Sequence, residues 1–279
     1  MKHLNKIFLS LTLICFSLSY SSTVYSQSNN ESGKKITYKK ARALQASTAK
    51  RMALVFEAYE RLDDEGKEDP DMVTVRRVLT ELRAEISELR SYDRSVVWYQ
   101  WGFLYLQDED VDSAIKAFLS VINEPEVTKS YRESGLLTLA QLSLSQEKYD
   151  QAIEYIMQWM SEVDKVTAQS WSFLGIAYFS KENYQKAIES METAINIAET
   201  EAFKPKENWY SILAASIEEL KDEIGEKNAL LRQADIYEVL INLYPKKGYY
   251  LQLGRIFNQL GREKDYMFTL KAAYAKDLL

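Results

Sequence analysis

Apolar residues recur at intervals of three, four and seven along most of the chain, and the clearest instance runs from 171 to 194. Trp171, Leu174, Gly175 and Tyr178 fall on one helical face, because those intervals bring side chains together on a helix. The polar stretch Lys181–Tyr184 interrupts the pattern, and Ala187, Met191 and Ala194 resume it as a second stripe. The pattern predicts two helices joined by a tight turn. The same offsets return in Trp98, Gly102, Tyr105, Ala114, Phe118 and Val121, and in Leu136, Leu139, Ala140, Ala152, Ile156 and Trp159. Trp209, Ile212 and Leu213 open a further copy. Its second helix, with Ala234, Glu238, Ile241 and Pro245, matches if about nine extra residues sit near Glu219–Leu231. Tyr250, Leu253, Gly254, Phe257, Leu270 and Ala273 make the last copy. Upstream, Tyr38–Leu62 reads as one long amphipathic helix and Met72–Leu89 as the next. Between them Gly66 is the expected stop and Asp69 or Asp71 the expected cap. Nothing alternates with period two, and the four prolines sit at helix boundaries, so no strands are expected.

W-x2-L-G-x2-Y followed by Ala nine residues on resembles the tetratricopeptide (TPR) repeat. The second-helix alanines Ala114, Ala152 and Ala187 lie 38 and 35 residues apart, near the repeat length of about 34. The resemblance implies an all-α fold, a TPR-type α-solenoid of antiparallel helix pairs in a right-handed superhelix. One pair cannot bury its apolar faces alone, so copies must stack. Gly175 and Ala187 are small so that two backbones can approach, while Trp171 and Tyr178 fill the wedges beside them. The expected organisation is a signal peptide at 1–26, a flexible leader at 27–36, an N-terminal helix pair at 37–92 and about five repeats over 93–279. The N-terminal pair lacks the Trp, Gly and Ala markers and is either a degenerate repeat or a cap.

Composition narrows the chemistry. Lys2 and Lys6 precede the uncharged run Ile7–Leu18, and a small polar stretch follows it. That reads as a secretory signal cleaved between Ser26 and Gln27, so the mature chain is expected to be exported. Ile14 before Cys15 argues against lipid attachment, which wants a small residue there. Cleavage would remove the only cysteine, Cys15, and the only histidine, His3, and take the net charge from −6 to −8. Thiol nucleophiles, histidine bases and His/Cys zinc sites are then excluded by inventory. A mildly acidic chain also disfavours nucleic acid, and no cofactor or metal is expected. The acid runs Asp63-Asp64-Glu65 and Asp108-Glu109-Asp110 lack calcium-loop spacing and read as caps and turns. Lys34, Lys35, Lys39, Lys40, Arg42, Lys50 and Arg51 form a basic patch that reads first as a solvated face and second as a peripheral contact to anionic lipid or an acidic partner.

In a stack of this kind the first helices line a concave face. Counting off the packing stripe places Tyr99, Phe103, Leu106, Gln141, Leu144, Ile176, Phe179, Tyr210 and Arg255 on it. Its middle is apolar and aromatic, as interaction sites are. Either the N-terminal helix covers part of this face, or it is a groove for a partner's amphipathic helix or extended segment, anchored by Tyr99, Phe103, Phe179 and Tyr210. Only Arg255 and Asn258 could grip a carboxylate.

KENWYSILAASIEEL (206–220), INLYPKKGYYLQLGRIFNQLG (241–261) and TLKAAYAKDLL (269–279), with YDQAIEYIMQWM (149–160) and QKAIESMETAINIAE (185–199), are similar to a particular family. It is the periplasmic TPR proteins of Gram-negative, often marine, bacteria encoded beside TonB, ExbB and ExbD genes. The resemblance implies a non-enzymatic scaffold or adaptor for a TonB-ExbB-ExbD energy-transduction complex serving outer-membrane uptake of iron or other nutrients. The other reading is an adaptor or assembly factor for a different envelope or secretion complex.

Overall fold

Short polar side chains set where helices begin. In the computed structural model, which describes residues 43–279, Asp71 accepts from the Thr74 N–H at 3.1 Å and Asp110 from the Ser113 N–H at 3.0 Å. Thr167 and Ser170 exchange bonds as a capping box. Each satisfies backbone donors that a first turn leaves open. The elements are α1 (Ala46–Tyr59), α2 (Met72–Ala84), α3 (Ser91–Gln107), α4 (Val111–Asn123), α5 (Lys129–Ser145), α6 (Tyr149–Glu162), α7 (Ala168–Ser180), α8 (Tyr184–Thr200), α9 (Glu207–Glu219), α10 (Lys221–Ile224), α11 (Glu226–Leu243), α12 (Lys247–Gln259) and α13 (Glu263–Tyr274). They pack in order as α1–α2, α3–α4, α5–α6, α7–α8, α9–α11 and α12–α13, with each second helix from α4 onward against the next first helix. The fold is an all-α solenoid of TPR type, and residues 45–279 form one compact unit. Among the described residues the only bridge is Leu62 with Glu68.

Two helix lengths differ from the periodicity. The described part of the helix expected over Tyr38–Leu62 starts only at Ala46, because the Gln45 N–H leaves the helix to donate to Asp93 Oδ1 at 2.8 Å. The helix expected over Met72–Leu89 stops at Ala84 and tightens into a 3₁₀ turn at Ile86–Glu88. Leu89 stays buried all the same. Residues 1–42, with the expected signal peptide, the leader, His3, Cys15 and most of the basic patch, lie outside the described residues.

The glycines make sockets rather than simple backbone contacts. A Cβ on Gly102 would stand 2.6 Å from Phe118 Cζ, and one on Gly175 would stand 2.9 Å from Met191 Cε. In three pairs the knob comes sixteen residues after the small residue: Gly102 with Phe118, Ala140 with Ile156 and Gly175 with Met191, whereas a Cβ on Gly254 would meet Tyr266 at 3.3 Å before Leu270 at 3.8 Å. Phe118, Ile156 and Met191 are fully buried. The turns repeat as well. Glu109, Glu147, Glu182 and Gly261, each seven residues after the socket, all have positive φ. Three glutamates there accept a left-handed cost of roughly 1–2 kcal/mol each, which the closed helix pair offsets.

The fourth repeat is built differently. The extra residues number four, not nine, and they form α10 with Gly225 (φ 88°) behind it. Ala229, not Ala234, is therefore the alanine that faces α9. Ala229, Ile236 and Leu240 share a cluster with Trp209, Tyr210 and Leu213, whereas Ala234 packs with Leu253, Ile256 and Phe257 of α12. In that register the knob position is Gln233 and the socket position Leu213.

Candidate partner-binding face

The first-helix residues named above fall into three groups. Tyr99, Phe103 and Leu106 on α3 come together over one cluster. The Tyr99 ring meets Phe103 at 4.9 Å, Phe118 at 5.9 Å and Tyr131 of α5 at 4.7 Å, all edge-on. Edge-on pairs at such distances add to their area burial, so Tyr99 is spent partly on packing one repeat to the next. Burial pushes the Tyr99 phenol up in pKa, partly offset by a hydrogen bond with Ser134. Farther along, Gln141 is half-buried, Leu144 packs on the α5–α6–α7 cluster, Ile176 packs toward α9, and Phe179 meets the Tyr184 ring at 5.7 Å.

Tyr210 is a correction. It is 3% exposed, and its hydroxyl lies 3.2 Å from Glu199 Oε1. Burial first, and the Glu199 charge second, push its pKa up. It belongs to the core between α8 and α9 and offers no surface to a partner. Position counting failed because α8 is long enough to lay Ile195 and Ala198 over α9.

Arg255 is exposed on α12, apart from the aromatic row. It lines a polar cleft of about 410 Å³ that periodicity did not predict. The walls are Glu218 of α9, Lys221 of α10, Gln233 and Tyr237 of α11, and Gln252 and Gln259 of α12. Gln233, 5% exposed, donates from Nε2 to Ala214 O at 3.2 Å and to Glu218 Oε2 at 3.1 Å. The Lys221 ammonium, with Gln233 behind it, holds the Glu218 carboxyl below its usual range. Arg255 spends one N–H on Gln252 Oε1 at 3.1 Å. The extra residues near 219–231 were the sequence signal for this cleft.

The remaining candidates are structural. Asp63 Oδ1 accepts from the Glu65 and Lys67 N–H groups at 2.9 and 2.8 Å, Asp108 pairs with Arg76, and Asp110 caps α4. Among the described residues no group of three or more His, Cys, Asp or Glu could hold a metal ion. No helix there is long and apolar enough to cross a membrane. Of the basic patch, Arg51 is paired with Glu85 at 2.9 Å.

Residues 168–201, the α7–α8 pair, match the tetratricopeptide repeat family model. A crystal structure of MamA protein is similar at 22% identity over 66% of this chain and 92% of that one, with a TM-score of 0.50. MamA from Desulfovibrio magneticus RS-1 (12% identity, 64% and 90% covered, TM-score 0.47) and BtubC from P. vanneervenii (12%, 84% and 91%, 0.47) are further similar structures. At such identities the likeness to MamA shows the fold alone. No curated protein matches the chain.

Proposed function

We propose that this chain is an exported, non-enzymatic scaffold that captures a protein partner and serves a TonB-ExbB-ExbD complex in the periplasm. The observation that carries the scaffold reading is the stack itself, helix pairs from α1 to α13 with a half-buried aromatic row on the first helices. Stacked pairs are held before a partner arrives, so capture costs little ordering entropy. Repeats of this kind bind protein partners generally. The finer reading rests on the resemblance of 206–220, 241–261 and 269–279 to TPR proteins encoded beside TonB-system genes.

The test is crosslinking and affinity capture from envelope fractions, with wild type beside Phe103→Ser/Phe179→Ser. Recovery of TonB, ExbB or ExbD by wild type and its loss in the variant is the expected result, provided far-UV circular dichroism shows both folded. Undiminished recovery by the variant would overturn the aromatic row as the binding face. Recovery of outer-membrane assembly proteins alone would overturn the TonB assignment. N-terminal sequencing of the periplasmic form should begin at Gln27, and an intact Met1 would overturn export by cleavage.

A further inference from the structure

The cleft beside the fourth repeat ends on an acceptor without a partner. Gln233 lines that cleft and is 5% exposed. Its amide meets Ala214 O and Glu218 Oε2, and both are acceptors, so the nitrogen must be the atom turned toward them. Both amide hydrogens are then spent. Among the described residues nothing donates to Gln233 Oε1. Unlike the buried Trp209 Nε1, that oxygen is not sealed off. A ligand that reaches the floor of the cleft must therefore bring a donor.

Charge says which donor. The Lys221 ammonium holds Glu218 Oε1 at 2.7 Å, beside the Gln233 contact. A ligand ammonium at Gln233 would be set against Lys221. A ligand carboxylate would meet only the lone pairs of Gln233 and Glu218. A hydroxyl has neither opponent. The walls as a whole carry two acids, Glu218 and Glu226, and two bases, Lys221 and Arg255, so they favour no net charge. The other polar groups suit several hydroxyls at once. Among the described residues the Tyr237 hydroxyl, Gln252 Nε2 and both ends of the Gln259 amide have no hydrogen-bond partner. Each amide plane offers neighbouring hydroxyls a donor and an acceptor, and Arg255 adds the donors it does not spend on Gln252. An extended peptide would spread one donor and one acceptor per residue over steps of about 3.5 Å, whereas these groups share one cleft of about 410 Å³. We propose that this cleft between α9, α11 and α12 binds an uncharged sugar, one hydroxyl donating to Gln233 Oε1 and others shared among Tyr237, Gln252, Arg255 and Gln259. The site goes beyond the scaffold reading and does not use the aromatic row.

Maltose, cellobiose and N,N′-diacetylchitobiose serve as probes, titrated into the full chain and followed by saturation-transfer-difference NMR. Saturable binding of at least one is expected, unmoved by added salt because the ligand is neutral. Gln233→Met keeps the length of the side chain but removes the acceptor, and should weaken binding about tenfold. Arg255→Ala/Gln259→Ala alters two exposed positions, so the melting temperature should hold while binding falls about tenfold. That second variant decides the matter if Gln233→Met fails to fold. No saturable binding of any of the three sugars at high millimolar concentration, or undiminished binding by the folded variants, would overturn the proposal. So would tighter binding of a zwitterionic dipeptide, alanyl-alanine, that salt weakens. Phe103→Ser/Phe179→Ser should leave sugar binding unchanged, which separates failure here from failure of the aromatic row.

Discussion

Helix pairs α7–α8 and α9–α11 solve one packing problem in two ways. In α7–α8 a glycine socket receives the Met191 knob, and the contact is closed by shape. In α9–α11 the socket position holds Leu213 and the knob position holds Gln233, a large residue in place of a glycine and a polar one in place of an apolar knob. The contact is then closed by hydrogen bonds to Ala214 O and Glu218. A buried amide must keep its partners or lose their full desolvation cost, and the cleft lies beside Gln233 and Glu218. Shape closure removes room for a ligand, while polar closure preserves it. The irregular repeat thus keeps a cleft beside its closing contact.

The comparison breaks if the two knobs prove equal in weight. Met191→Ala removes a fully buried side chain from a socket that cannot collapse, and should cost about 2–5 kcal/mol. Gln233→Ala removes two hydrogen bonds beside an open cleft where water can replace them, and should cost about 1–2 kcal/mol. Urea denaturation with a common m-value measures both. Equal losses would mean that the polar contact is packed as tightly as the steric one.

The sockets themselves sharpen it. Gly102→Ala sets a methyl 2.6 Å from the ring of Phe118, which is fully buried and has nowhere to turn. The expected loss is about 1–3 kcal/mol. Gly175→Ala meets Met191 Cε at 2.9 Å and Cγ at 3.0 Å, atoms of an unbranched chain with more torsions than a ring. Met191 can give way, and the helix-propensity gain of about 1 kcal/mol offsets the remaining strain. Thermal melts of the two variants should therefore separate, with Gly102→Ala the lower.

How much of this was legible in the sequence follows the same division. Where packing is steric, the period and residue size name the contact in advance, as with Gly102, Gly175 and Ala187. The fold class follows from those positions. The fourth repeat resists because two alanines, Ala229 and Ala234, sit on adjacent stripes of one helix, and only the turn α10 decides which faces inward. For the candidate face, counting positions named Tyr99, Phe103 and Leu106, which share one cluster, but misplaced Tyr210. Side-chain depth depends on how far the preceding helix extends, and no period along one helix encodes that.

Tryptophans offer a finer comparison between regular and irregular ground. Trp101 Nε1 donates to Leu79 O at 3.1 Å, tying α3 to α2. Trp209, at 4% exposure, buries Nε1 with no hydrogen-bond partner among the described residues. Trp→Phe removes similar volume at both sites, so the difference isolates the hydrogen bond. Trp101→Phe should cost about 1 kcal/mol more than Trp209→Phe. Equal costs would show that the Trp209 N–H is satisfied by water in solution.

The smallest expected effect concerns the ion pairs that close the second helices. Arg94 binds Glu124 through two 2.7 Å bonds, and Arg132 binds Glu162 at 2.7 Å, one repeat later. At the next equivalent position stands Thr167, which caps α7 instead. The Arg132 guanidinium, with Gln158 as a minor partner, holds the Glu162 carboxyl below its usual range. A depressed carboxylate contributes stability above its unfolded pKa of about 4.3 and loses it as pH falls through the folded value. Arg132→Met should therefore destabilise the chain at pH 7 by about 1 kcal/mol or less, and the gap to wild type should close below about pH 4. Denaturant midpoints at pH 7, 5 and 3 measure the gap. A gap that persists at pH 3 would assign the loss to the arginine's packing and its bond to Ile122 O rather than to the charge on Glu162.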